Sequence, residues 1–119
     1  MTGVHRGDIW LADFGEPVGR EQGLLRPAIV LSDDQLNGGP NGVVIVIPLT
    51  SRFRGLPSHI EVDPRDSGLT VLSYARCEDI RSMSDERLIA KMGQAPPEVM
   101  FRFREIMQWL LGLDDGRNP

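Results

Sequence analysis

Arg26 stands immediately before Pro27, where a Gly-rich polar stretch gives way to the apolar run Ala28–Leu31. Proline fixes its own φ and donates no hydrogen bond, so Pro27 belongs at the very start of a strand. Arg26 is thereby held at a loop-to-strand junction, where a rigid scaffold presents binding chemistry. Its guanidinium is a planar fork of donors suited to phosphate. Arg76 and Glu78 are a second candidate pair: at i and i+2 of a strand both project from one face if the strand persists that far. From the residues alone the two read as an ordinary cross-strand or same-face ion pair. Thr50 and Ser51 close an apolar run, with Arg52 and Arg54 close behind. Threonine at such a position ordinarily bonds its own backbone.

Composition narrows what these groups can serve. The chain has 119 residues, enough for one domain with a real core, and a net charge of -4. That charge argues against non-specific coating of nucleic acid, which needs a basic surface overall, but leaves room for a local basic groove. All but one of the 13 basic residues are arginine, Lys91 being the exception. This reflects either a demand for phosphate-binding forks or a base-composition bias. The lone Cys77 excludes a disulfide within the chain, and Cys77, His5 and His59 lack metal-ligand spacing. Cys77 alternates away from Arg76 and reads as core rather than nucleophile. His5 and His59 read as surface or strand residues, and Trp10 as a core aromatic. No apolar stretch is long enough to span a bilayer and no leader is visible, so a cytoplasmic, cofactor-free protein without a metal is expected.

The elements that must position these residues follow from periodicity and punctuation. Ile9 to Phe14 and Ala28 to Leu31 read as two strands. The loop between them carries Gly15, Pro17, Gly19 and Gly23. After the turn Asn37–Gly42, Val43 to Ile47 is a β-branched run suited to a strand covered on both faces, which Pro48 ends or edges. Ser58 to Val62 alternates as a strand, Asp63 to Gly68 reads as a loop, and Leu69 to Cys77 as a longer strand. Ser84 caps a short helix over Asp85 to Leu88, and Ile89 to Met92 forms a last short strand. Pro96-Pro97 opens a helix whose apolar stripe is Val99, Phe103, Ile106, Met107, Leu110 and Leu113. Phe101, Trp109 and Leu111 fall partly off that stripe, so the helix is either buried on two sides or contributes to a subunit contact. The expectation is one domain over residues 1–113, mainly β, with about six strands, one short helix and a long C-terminal helix. A frayed tail over 114–119 follows.

Four blocks in register resemble the MazF/PemK/Kid family of toxin endoribonucleases. They are Arg6-Gly-Asp-Ile-Trp10; Gly19-Arg-Glu-Gln-Gly23 with Arg26-Pro-Ala-Ile-Val30; Val46-Ile-Pro-Leu-Thr-Ser51; and Arg76-Cys-Glu-Asp-Ile-Arg81. The resemblance implies an SH3-like antiparallel barrel with a C-terminal helix, a homodimer, and an acidic, partly disordered antitoxin as partner. It implies cleavage of single-stranded RNA without a metal, leaving 2',3'-cyclic phosphate and 5'-hydroxyl ends. It assigns catalysis to Arg26 and Thr50, and in the Kid-like branch to Arg76 and Glu78. Arg20, Glu21, Gln22, Ser51, Arg52, Arg54 and Arg81 are the implied RNA-binding residues. The Kid-like branch has histidine where this chain has Arg20, and arginine cannot shuttle a proton at neutral pH.

Such a reaction needs a group to accept the 2'-OH proton, donors for charge on the phosphorane, and a proton for the leaving 5'-oxygen. Arg26 fits charge stabilisation, Thr50 can hold a non-bridging oxygen or the 2'-OH, and Glu78 is the one carboxylate of this set able to act as base. Two other readings compete. One is a non-enzymatic toxin of the same fold that poisons a DNA gyrase through its C-terminal helix; such relatives lack the Arg-Pro and Pro-x-Thr pair present here. The other is a plain SH3-like interaction module, which gives Arg26, Thr50 and Arg76 no reason to converge.

Overall fold

The β-branched run that starts at Val43 forms the strand on which the rest of the chain is hung. The computed structural model describes residues 3–16, 19 and 24–113. These contain strands β1 (Asp8–Asp13), β2 (Leu25–Val30), β3 (Val43–Thr50), β4 (His59–Val62), β5 (Ser73–Arg76), β6 (Arg81–Ser84) and β7 (Leu88–Gln94). Helices α1 (Pro64–Ser67) and α2 (Pro97–Leu110) complete the set. One edge of β3 pairs with β2 through Ala28–Pro48, Ile29–Ile47 and Val30–Val46. Its other edge takes β6 from Val43 to Val46 and β5 at Leu49 and Thr50. Every ladder is antiparallel, and the seven-stranded sheet runs β4-β5-β3-β2-β1-β7 with β6 beside β3. The sheet is not closed, since no ladder joins β4 to β7. Mainly antiparallel β with a C-terminal helix is thus what forms, with seven strands in place of about six.

Alternation along the strands sorts their side chains into two cores. Ile9, Ile29, Ile47, Leu49, Ile60 and Ala75 share the face on which α2 lies, with Val99, Phe103, Ile106 and Met107 from the helix. Ala12, Ala28, Val30, Val44, Val46 and Leu88 form a second cluster on the opposite face. Burying a side chain such as Ile47 contributes about 1.5–3 kcal/mol. At the edge, Asp8 is fully buried and is compensated by the His5 backbone N–H (2.9 Å), the Trp10 indole N–H (3.2 Å) and Lys91 Nζ (3.3 Å). These contacts tie β1 to β7, because an unpaired carboxylate in the interior is costly.

Several boundaries differ from expectation for local reasons. Pro48 lies inside β3 opposite Ala28 rather than ending it, and Pro27 is the third residue of β2, opposite Leu11. At Pro27 β2 has a partner on one side only, because the β3 ladder starts at Ala28, so a missing N–H is tolerated there. The expected loop 63–68 contains α1, capped by Asp63 Oδ1 accepting from the Arg65 N–H (2.8 Å) and ended by Gly68 at φ +84°. Residues 85–87 form a 3-10 turn with the Ser84 cap in place (3.2 Å). The strand expected over 69–77 shrinks to Ser73–Arg76, and the one expected over 89–92 grows to Leu88–Gln94. In α2 the buried stripe is Val99, Phe103, Ile106 and Met107, while Leu113 lies past the helix end and is exposed. The expected tail 114–119 lies outside the described residues.

Helix α1 rests on β7 with no room for a side chain. A Cβ at Gly93 would fall 1.9 Å from the Ser67 carbonyl oxygen, and one at Gly68 2.2 Å from that of Met92. Gly93→Ala must therefore push two backbones apart. We expect it to cost about 1–3 kcal/mol, the usual range for overpacking, read as a lower urea midpoint. An unchanged midpoint would show that the contact is not tight in solution.

Candidate active site

Cross-strand partners share a face of a sheet, so the register decides which candidates can meet. Beyond Ala28–Pro48 the next residues of the same parity are Arg26 on β2 and Thr50 on β3. Thr50 pairs with Tyr74, Tyr74 with Glu61, and Arg76 with His59. Arg26, Thr50, Tyr74, Arg76 and His59 thus leave the sheet on the face opposite α2, just past the second core. Arg26 is exposed, and among the described residues its guanidinium has no hydrogen-bond or ion-pair partner. Thr50 Oγ1 accepts from the Arg52 N–H (3.2 Å). That is the ordinary backbone contact of a threonine at a strand end, and it leaves the hydroxyl hydrogen to donate.

Glu78 does not lie on a strand. The β4–β5 ladder ends at His59–Arg76, and the chain turns into a 3-10 turn over Cys77–Asp79, closed by the Ile80 N–H on the Cys77 carbonyl. The expected i, i+2 projection along a strand is therefore replaced by a turn, because no β4 residue remains to pair with position 78. Glu78 nonetheless meets Arg76, with Oε2 3.8 Å from Nε, while Arg76 Nη2 lies 2.9 Å from Asp79 Oδ2. The Ser58 hydroxyl donates to Glu78 Oε1 at 2.7 Å, and His59 Nε2 lies 2.9 Å from Oε2. An ionised carboxylate only accepts, so Nε2 carries the hydrogen in that contact. The His59 side chain is only 4% exposed, and its Nδ1 has no partner among the described residues.

Burial acts to raise the Glu78 pKa, but the donors Ser58 and His59 outweigh it and hold the carboxyl below the usual carboxylate range. Glu78 is then ionised at neutral pH, able to accept a proton but a weak base. Both of its oxygens already hold a donor. Cys77 is fully buried, and burial, then the charge of Glu78, push its thiol up to about 12, with Arg102 acting the other way. It is core, as expected. Among the described residues no three His, Cys, Asp or Glu side chains are grouped to hold a metal ion.

The other candidates divide. Ser51, Arg52 and Arg54 lie in the exposed segment 51–57 that follows β3. Arg81 is exposed on β6, its guanidinium carbon 5.6 Å from the centre of the Phe14 ring, on the same face as Val46, its cross-strand partner. Arg20, Glu21 and Gln22 lie outside the described residues. Ser58, His59 and Asp79 are additions that sequence reasoning missed. Ser58 and His59 reach Glu78 across some twenty positions of chain, and only the β4–β5 register brings them together.

Residues 5–111 match the model of a family described as PemK-like, MazF-like toxin of type II toxin-antitoxin system. The chain is 34% identical over 113 residues to "Endoribonuclease EndoA" of Bacillus subtilis (strain 168), over 94% of this chain and 97% of that protein. In three dimensions it is similar to MazF from Deinococcus radiodurans, with a TM-score of 0.79 at 30% identity, over 92% of this chain and 97% of that one. It is also similar to a chain of a MazE-MazF structure from the same organism, with a TM-score of 0.76 at 29% identity, over 93% and 97%.

The ionised Glu78 makes a pH prediction. Its folded pKa lies below the ordinary value of 4.5, so its stabilisation is complete above that pH and is lost as pH falls through the folded value. Glu78→Gln should be less stable than the wild type at neutral pH, with the gap narrowing as pH falls below 4.5. Urea midpoints across that range check it, and a gap that does not change with pH would contradict the hydrogen-bonded carboxylate.

Proposed function

The chain belongs to the PemK-like, MazF-like toxin family of type II toxin-antitoxin systems, and on that premise we propose that it is an endoribonuclease whose Arg26, Thr50 and Arg76 face cleaves single-stranded RNA. The observation that supports this most is the exposed Arg26 on the same sheet face as Thr50 and an Arg76 steadied by two carboxylates. In this reading the ribose 2'-oxygen attacks the adjacent phosphorus and the bond to the 5'-oxygen breaks. The products are a 2',3'-cyclic phosphate and a 5'-hydroxyl.

Arg26 and Arg76 stabilise the charge that develops on the phosphorane, a role in which a preorganised donor contributes about 10²–10³ in rate. Thr50 donates its hydroxyl hydrogen to a non-bridging oxygen. Glu78 accepts the 2'-OH proton. Because it is a weak base, most of the acceleration falls to the arginines. Arginine keeps its proton up to a pKa above about 12, so the leaving oxygen takes its proton from solvent. The family relatives reported above give the gyrase-poisoning alternative no support.

The partner follows from the same surface. A MazF that this chain resembles has been solved as MazE-MazF, and an acidic, initially disordered antitoxin segment laid over Arg26 and Arg76 would block RNA by occupying its charge partners. The exposed Phe101 and Trp109 on α2, with Leu111 just past its end, support a homodimer contact. Among the described residues no helix is long and apolar enough to cross a membrane, and the reading places the protein in the cytoplasm, where its RNA is.

Purified protein incubated with a long single-stranded RNA and a chelator should cut it, leaving 5'-hydroxyl ends. Arg26→Ala and Thr50→Ala should each slow cleavage by about 100-fold or more. Intact RNA, or variants that cut at the wild-type rate, would overturn the reading.

A further inference from the structure

Phe53 is 70% exposed, an apolar ring that gains nothing from standing in water. It is held nonetheless. Its ring meets Tyr74 edge to face, with centroids 5.5 Å apart and planes at 62°. The chain then turns back at Gly55, whose φ is +66° and where a Cβ would lie 3.4 Å from the Phe53 ring. Glycine adopts that turn without strain, and the turn brings the chain back against the ring. Tyr74 is in turn the cross-strand partner of Thr50, so the aromatic pair adjoins the residue assigned to the scissile phosphate. Arg52 and Arg54 flank Phe53 in the chain, and the segment 51–57 contains no acid.

We propose that Phe53, backed by Tyr74, is a stacking platform for a nucleobase next to the scissile phosphate. The inference rests on the RNA-cleaving reading of the same face and adds to it a group that binds a base rather than a phosphate. Aromatic rings interleaved with arginines are the chemistry of single-stranded RNA: the ring stacks an unpaired base and the guanidinium groups hold the backbone on either side. A second copy of this chain is a poorer occupant, because loop against loop would oppose arginines with no acid to offset them. Stacking acts on substrate and transition state alike, so its loss should raise KM and leave kcat in place. It carries no charge, so the salt dependence of binding should also stay as it is.

The test uses a fluorescently labelled single-stranded oligonucleotide with 2'-methoxy sugars, which binds without being cut, and the variants Phe53→Ala, Phe53→Leu and Phe53→Trp. Phe53→Ala and Phe53→Leu should raise Kd about tenfold, and Phe53→Trp should stay within about twofold of wild type, as base–aromatic stacking predicts. Cleavage of the ordinary RNA should show the same rise in KM, and light scattering should show an unchanged oligomer. If Phe53→Leu binds like wild type, an aromatic face is not what counts and the proposal fails. It fails equally if Phe53→Ala changes the oligomer, which makes the patch a contact between copies, or weakens only the binding of an acidic peptide. Wild-type protein that neither binds nor cuts RNA would overturn the RNA-cleaving reading itself. Wild type that does both, with Phe53→Ala unchanged, would overturn the platform alone.

Discussion

Strand β3 is hydrogen-bonded on both edges, to β2 on one side and to β6 and then β5 on the other. That arrangement constrains almost everything else. With both edges paired, a one-residue slip would exchange its two faces at once, moving Ile47 and Leu49 out of the core beneath α2 and Val44 and Val46 out of the opposite core. The hydrophobic pattern therefore locks the register. Once it is locked, Thr50, the last residue of β3, must leave on the face away from the helix, beside Tyr74 and past Ala28 and Pro48. The polar groups assigned to chemistry occupy the end of a face whose other end is already packed, so the energy that positions them comes from burial of valines and isoleucines outside the proposed site.

The carboxylates at the end of β5 serve the same end by electrostatic means. Arg76 is mostly buried, with 17% of its side chain exposed, and such a guanidinium is tolerable only when paired. Asp79 and Glu78 supply that pairing, and Ser58 and His59 fix Glu78 in turn. The result is a cation held by a scaffold, on the same sheet face as Thr50 and the exposed Arg26. A site that accelerates phosphoryl transfer through preformed charge needs this combination of one anchored and one available arginine more than it needs a strong base.

Much of this was legible in the sequence where local rules suffice. The β-branched run at Val43, the Ser84 cap and the Pro97 helix start each followed from propensity and punctuation. Proline was the recurrent source of error. Pro27 and Pro48 are both inside strands, because what decides is whether a neighbour demands an N–H at that position, and the sequence does not show neighbours. The same limit hid the Ser58–His59–Glu78 contacts: His59 read as a surface or strand residue, and it does lie in β4, but its burial against a carboxylate was not visible. Glu78 was found through the resemblance of its block to a family. Its turn conformation was not, since the end of β5 is set by where β4 begins and not by anything in Arg76-Cys77-Glu78.

The central claim is that RNA lies on the sheet face away from α2, across Arg26, Thr50 and Arg76. Backbone amide shifts of labelled protein titrated with a 2'-methoxy oligonucleotide test it most directly. The account predicts that the shifts concentrate on β2 near Arg26, the end of β3, the segment 51–57 and β5, and leave α2 unmoved. Shifts centred on Phe101 and Trp109 of α2, with Arg26 and Thr50 silent, would contradict it.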